Sequence, residues 1–205
     1  MKYRIITISR EFGSGGRTIA KAVAERLGWK YYDKELVEQV AMETGFDPQF
    51  IEETGEHSPD RSGFAYSLAP QGVPGIMRGM SVSDFVWCMQ RQVILQLAEK
   101  EPCVIVGRCA DFILRERDDC FNVFIHAPIP YRADRIVRLY GESEKSPEKR
   151  LADKDKKRKV NYRHYTGCEW GMSQNYHLCL DSAEIGEEEC VKIITALAGK
   201  QENSK

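Results

Sequence analysis

The sequence predicts an α/β fold in which a five-stranded parallel sheet carries helices on both faces, built by residues 1–198 as a single domain. Short β-branched and apolar runs alternate along the chain with stretches whose apolar residues recur at helical spacing. Such alternation implies a parallel sheet covered on both faces. A glycine cluster at 13–16 separates the first run from the first helical stretch. The composition, 42% hydrophobic and 30% charged, supports a buried core and excludes wholesale disorder.

Residues 3–9 are predicted as the first strand, and Ile19, Ala22, Val23 and Leu27 mark a helix that Gly28 stops. A short strand at 29–32 and a helix at 34–43 follow. Residues 57–80, rich in proline and glycine, are too long for an ordinary connection and are expected to form a mobile or functional loop before a helix at 81–100. The pattern resumes with a strand at 103–106, a helix at 110–116, a strand at 121–126 and a helix from about 130 to 139, opened by Pro130. A strand at 176–180 and a helix at 187–197, whose acidic first turn suits its dipole, complete the domain. The tail at 199–205 is expected to fray.

Thirty basic residues against 31 acidic ones leave a net charge of −1, so the chain lacks the field of a general nucleic-acid binder and any anion site must be local. Apolar runs such as 103–106 and 123–125 fall far short of the roughly 18 residues that span a bilayer. Residues 1–8 run straight into a strand pattern without a signal-peptide signature, so a cytoplasmic protein is expected. Seven cysteines without a C-x-x-C pair argue for reduced thiols, with Cys103 and Cys179 as small core residues. The absence of G-x-S-x-G and H-E-x-x-H motifs leaves serine-hydrolase and zinc-protease readings unsupported.

The segment Ser9-Arg10-Glu11-Phe12-Gly13-Ser14-Gly15-Gly16-Arg17-Thr18 joins a strand to a helix. Glycines there let the backbone curl with its N–H groups inward, and the helix N-terminus adds positive potential, which suits a phosphate. Against the pattern G-x-x-x-x-G-K-[ST], Arg10 occupies the first glycine position and Gly16 the lysine position, with Arg17 the nearest cation. Asp33 follows the second strand at the edge where such sheets bind ligands, and it is equally placed to cap the helix from Lys34. Arg108 closes the third strand and can grip a phosphate bidentately. Asp111 can orient Arg108 or a metal-bound water, or the two can form an ion pair at a helix start. Residues 145–163 hold nine Lys or Arg against three Asp or Glu, and the spacing by four of Arg150, Lys154 and Arg158 would put them on one face of a helix.

Several stretches together carry a resemblance: residues 10–17, Ala24-Glu25-Arg26-Leu27-Gly28, Tyr31-Tyr32-Asp33-Lys34-Glu35-Leu36, Val106-Gly107-Arg108, and Asp155 to Gly171 with Arg158, Tyr162, Tyr165-Thr166-Gly167 and Trp170. The chain resembles the cytidylate kinase-like family of P-loop nucleoside monophosphate kinase relatives over about residues 1–198. That resemblance implies a P-loop kinase fold with a helical acceptor-binding region at about 34–100, a basic lid at about 145–172, and ATP with magnesium as donor. In true cytidylate kinases the aspartate matching Asp33 is followed by Thr-Gly or Ser-Gly and, six residues on, by an arginine; here Lys34-Glu35 and Gln39 stand instead.

The expected function is phosphoryl transfer from ATP to a small phosphorylated acceptor, a nucleoside monophosphate foremost, with no membrane or nucleic-acid partner. Backbone N–H groups of Gly13, Ser14, Gly15, Gly16, Arg17 and Thr18 would cradle the donor phosphates, with Thr18 or Ser14 near magnesium. Arg10 and Arg17 would replace the missing lysine, Asp33, Arg108 and Asp111 would face the acceptor, and Arg17, Arg150 and Arg158 would stabilise transition-state charge. The alternative is a non-catalytic nucleotide-binding regulatory module with a degenerate loop. Residues 145–163 motivate a third reading, nucleic-acid contact.

Overall fold

A computed structural model of the chain describes residues 2–56 and 81–199; the expected loop at 57–80, with Arg78, and the tail beyond 199 lie outside the described residues. Among these residues the strands β1 (Ile5–Arg10), β2 (Lys30–Tyr32), β3 (Cys103–Val106), β4 (Cys120–His126) and β5 (Leu178–Asp181) form one sheet in the order β2-β3-β1-β4-β5. Every pairing is parallel, and β1 lies at the centre with Ile5 opposite both Cys103 and Cys120.

Side-chain alternation divides the core between the two faces. Ile5, Cys103 and Ile105 pack with α2 (Lys34–Thr44), α3 (Pro48–Glu56) and α4 (Val82–Lys100) through Leu36, Val40, Ile51, Val86 and Ile94. Ile6, Ile8, Val104 and Val106 pack on the other face with α1 (Gly16–Leu27) and α9 (Glu187–Ala198) through Ile19, Val23 and Ile194. Two further helices, α6 (Ile129–Tyr140) and the basic α7 (Pro147–Thr166), stand beyond the carboxyl edge of the strands. A cluster of Cys109, Phe124, Tyr162, Trp170 and Tyr176 holds α7 and its sequel against the sheet.

Local chemistry accounts for the ends of these elements. Ser81 and Ser146 cap α4 and α7 by accepting from the Asp84 and Lys149 amides, and Gly28, Gly45 and Gly167 end helices in the left-handed region. Three expectations need correction. The helix expected over 110–116 is the short α5 (Ala110–Ile113), because Leu114 leaves helical geometry and Arg117 pairs with Asp119 at 2.8 Å. Pairing of the last strand begins at Leu178, since residues 173–175 form a 3-10 turn. Cys179 is only half-buried, because β5 is an edge strand.

Two helices were not expected. Helix α3 is started by Asp47, whose carboxylate accepts from the Gln49 amide at 2.8 Å, and it is pinned by the fully buried Ile51. The Asp47-Pro48 pair was the available signal, an N-cap followed by proline at the first helical position. Helix α8 (Ser182–Ile185) is a single turn capped by Asp181.

Candidate active site

The glycine loop is held from below. The Ser14 hydroxyl lies 2.9 Å from the Glu11 carbonyl and 3.1 Å from the Ile125 carbonyl, and the Ser182 hydroxyl donates to the Ser14 carbonyl at 2.6 Å. Gly13 and Gly15 have φ of 84° and 82°, a region costly for any residue with a Cβ. A Cβ on Gly13 would also stand 2.9 Å from the Arg132 carbonyl oxygen. This curled backbone and the first turn of α1 floor an open cavity of about 130 Å³ that Arg10, Arg17, Arg135, Lys154 and Arg158 border. Glycine amides, a helix start and converging cations are what polyphosphate requires.

An ionic latch ties the loop to the basic helix. Asp155 of α7 accepts from the Phe12 amide at 2.8 Å and from Arg132 at 2.6 Å, and Arg158 lies 3.6 Å from the same carboxylate. Arg132 also lies 3.4 Å from Glu11 and donates to the Phe12 carbonyl at 3.2 Å. Arg158 in turn donates to the Arg10 carbonyl at 3.1 Å. Arg150 is not brought to this place: its guanidinium donates to the Gly141 carbonyl at 2.8 Å near the start of α7. Arg150 and Arg158 are two turns apart, so a shared helical face does not bring them to one site.

Beside the loop is a second, tight cavity of about 20 Å³ bordered by Arg10, Arg108, Arg158, Asn161 and Tyr162. Gly107, Arg108 and Cys109 all have positive φ, at 68°, 56° and 53°, so β3 ends in a strained turn that buries Arg108 to 4% exposure. Arg108 donates to the Glu52 carbonyl of α3 at 3.4 Å. Asn161 is also buried; its amide donates to the Gly55 carbonyl at 3.4 Å, and its Oδ1 accepts no hydrogen bond among the described residues. Beneath this cavity the Asp111 carboxylate takes the Tyr162 hydroxyl at 2.6 Å and the Ser9 hydroxyl at 3.4 Å. Burial pushes the Asp111 carboxyl up to about 6, and the same burial, with Asp111 beside it, holds the Tyr162 phenol above its ordinary value.

Asp33 makes no capping bond to α2; it pairs with Arg17 at 2.9 Å, while Glu52 lies 3.8 Å from the same arginine. Asp33 lines neither cavity. Thr18 is exposed and accepts from Arg135 at 2.9 Å, and Arg135 pairs with Glu187 at 2.8 Å. Sequence reasoning gave no role to Arg132, Arg135, Glu187, Glu52 or Asn161. The arginines at 132, 135 and 138 in the helix that follows β4 were the legible signal, since such a helix begins at the ligand-binding edge.

The model of the cytidylate kinase-like family matches residues 5–184. The chain belongs to that family. It is 23% identical to a cytidylate kinase of Methanopyrus kandleri, covering 94% of this chain and 91% of that one. It is 26% identical to the cytidylate kinase of Thermococcus sibiricus, covering 95% and 88%. A crystal structure of a protein from Eubacterium ventriosum matches with a TM-score of 0.71 and 27% identity over 96% of this chain and 99% of that one. The shikimate kinase of Acinetobacter baumannii, at 16% identity over 97% and 96% with a TM-score of 0.52, shares the fold alone.

The cytidylate kinase-like fold implies a magnesium ion, and the expected hydroxyls do not fit one. Ser14 is fully buried with its hydroxyl turned to carbonyl groups, and Thr18 is engaged by a guanidinium. Among the described residues no group of three His, Cys, Asp or Glu side chains is arranged to hold a metal. Among them, too, no helix is long and apolar enough to cross a membrane.

Proposed function

We propose that this protein transfers the γ-phosphoryl group of ATP to a small phosphorylated acceptor, a nucleoside monophosphate. The observation that carries the reading is the pair of adjoining cavities, one floored by the glycine loop and one bordered by Arg108 and Asn161, with Arg10 and Arg158 bordering both. The second cavity as it stands admits little more than a water, so an acceptor phosphate would be held at its mouth by Arg108, next to phosphates on the glycine loop. The cytidylate kinase-like family and its named relatives support the same reaction class.

In this reaction an acceptor phosphate oxygen attacks the γ-phosphorus, a new P–O bond forms, and the bond to the β,γ-bridging oxygen breaks with ADP leaving. The attacking oxygen is already anionic, so no general base is required. Asp111, enclosed by Tyr162 and Ser9, supports the cavity wall instead. Positioning and charge remain as the working terms. Loop amides hold the donor phosphates, Arg108 holds the acceptor phosphate, and the Asn161 Oδ1 accepts from an acceptor donor group. Arg158, oriented by Asp155 and the Arg10 carbonyl, meets charge on the group in flight. Arg17, paired with Asp33, borders the donor cavity, and no step runs through a metal on Ser14 or Thr18.

The test is labelled-phosphate transfer from ATP across a panel of nucleoside monophosphates and other phosphate esters. Transfer to at least one monophosphate is expected. ATP binding without transfer to any acceptor would overturn the proposal in favour of a non-catalytic nucleotide-binding module, the reading that Gly16 at the lysine position motivates.

A further inference from the structure

Gly16 differs from its neighbours in why it must be glycine. Gly13 and Gly15 need their positive φ, whereas Gly16 is the first residue of α1 and is not among the residues of positive φ. Space is what excludes a side chain there: a Cβ on Gly16 would stand 2.4 Å from the Arg10 Cβ and 2.9 Å from its Cγ. The Arg10 side chain leaves the end of β1 along the line that a side chain on residue 16 would use. Lysine at 16 and arginine at 10 are therefore mutually exclusive, and this chain has the arginine.

Resting on the kinase reading above, we infer that Arg10 and Gly16 are a reciprocal exchange, in which the cation that the regular loop carries on its helix is delivered from the strand by Arg10. Arg10 is 4% exposed and, with Arg158, borders both cavities, so its charge lies where a phosphoryl group passes from one to the other. The other cations fit the part less well. The Arg17 side chain is 39% exposed, Lys154 is exposed, and both border only the first cavity. A planar guanidinium can bond oxygens of two phosphates at once, whereas an ammonium acts as a point charge. The glycine at 16 is then the steric counterpart of the arginine and no sign of lost turnover.

A swap tests the pair, with inorganic tripolyphosphate as the calorimetric probe, melting temperature as a separate readout and ATP-dependent transfer as a third. Arg10→Met, which keeps the aliphatic stem, is expected to bind tripolyphosphate at least tenfold more weakly and to lose about 100-fold in kcat. Arg17→Met, at a cation that borders only the first cavity, is expected to weaken tripolyphosphate binding less than Arg10→Met does. Gly16→Lys alone should lower the melting temperature and abolish binding, while Arg10→Gly/Gly16→Lys should return both to within tenfold or a few degrees of wild type. Full binding by Gly16→Lys, or a double variant no better than the worse single variant, overturns the inference. Tripolyphosphate binding that depends on Arg10 in a protein with no transfer activity overturns the proposed function and leaves the exchange standing. Transfer that survives Arg10→Met unchanged does the reverse.

Discussion

Removing the Asp155 carboxylate is expected to release α7 from the glycine loop. In Asp155→Ala the Phe12 amide loses its acceptor at 2.8 Å, and Arg132 and Arg158 lose a shared counter-charge at 2.6 and 3.6 Å. The side chains concerned are only 13%, 8% and 12% exposed, so water replaces little of what is lost. A charged hydrogen bond to a buried amide contributes about 1.5–3 kcal/mol, and breaking a buried pair from one side costs about 3–5 kcal/mol. The two overlap in one carboxylate and do not add, and Glu11 still faces Arg132 at 3.4 Å, so a loss of about 3 kcal/mol is expected. In a chain of 205 residues that corresponds to a fall of about 6–12 °C in melting temperature. Asp155→Asn keeps an acceptor for Phe12 and should lose about half as much. Urea denaturation and thermal melting check both values, with tripolyphosphate affinity as the functional readout. If Asp155→Ala unfolds within about 0.5 kcal/mol of wild type, the latch does not hold α7 to the loop.

Gly13→Ala should destabilise more than Gly15→Ala, as urea midpoints will report. Both carry positive φ, but the new Cβ meets the Arg132 backbone at 13 and the movable Glu187 carboxylate at 15, so equal losses would refute the steric argument. Asp111→Asn should change how stability depends on pH. Burial raises the Asp111 carboxyl from 3.8 to about 6, so its contribution is present in full below about pH 4 and is lost as pH rises through about 6, a term of roughly 3 kcal/mol. The difference between wild type and Asp111→Asn should vary by that amount between pH 4 and 7 in urea titrations, and parallel curves would remove the term. Arg108→Ala should raise the Michaelis constant of the acceptor about tenfold or more and leave that of ATP nearly unchanged, so an effect confined to ATP would count against its assignment. In the same assays CMP should not be strongly preferred, given Lys34-Glu35 and Gln39 after Asp33; efficient CMP-selective turnover would refute this.

What the sequence by itself determined were the features whose cause is local. The glycines at 13, 15 and 28, the proline at 130, and the apolar run from Cys103 to Val106 act over a few residues, so loop, helices and central strands could be read directly. Arg10, Arg108 and Arg158 were legible for a similar reason, since each lies at a strand end or in a basic run where an anion site is expected. Only the tertiary structure decided which of those charges act together. Asp155 stands out in the sequence only through the family resemblance, yet it bonds an amide 143 residues away. Asp111 reads as a partner of Arg108 or of a metal-bound water at a helix start, yet Tyr162, 51 residues away, shares its burial. Asp33 reads equally as a ligand-facing acid or a cap, and it is paired with Arg17. Pattern and propensity are properties of neighbours in the chain, whereas pairing and desolvation depend on which elements meet at the edge of the sheet. That meeting keeps Asp155 and Arg158 close to the loop and leaves Arg150 on the Gly141 carbonyl, because burial at the edge rewards only the charges that find partners there.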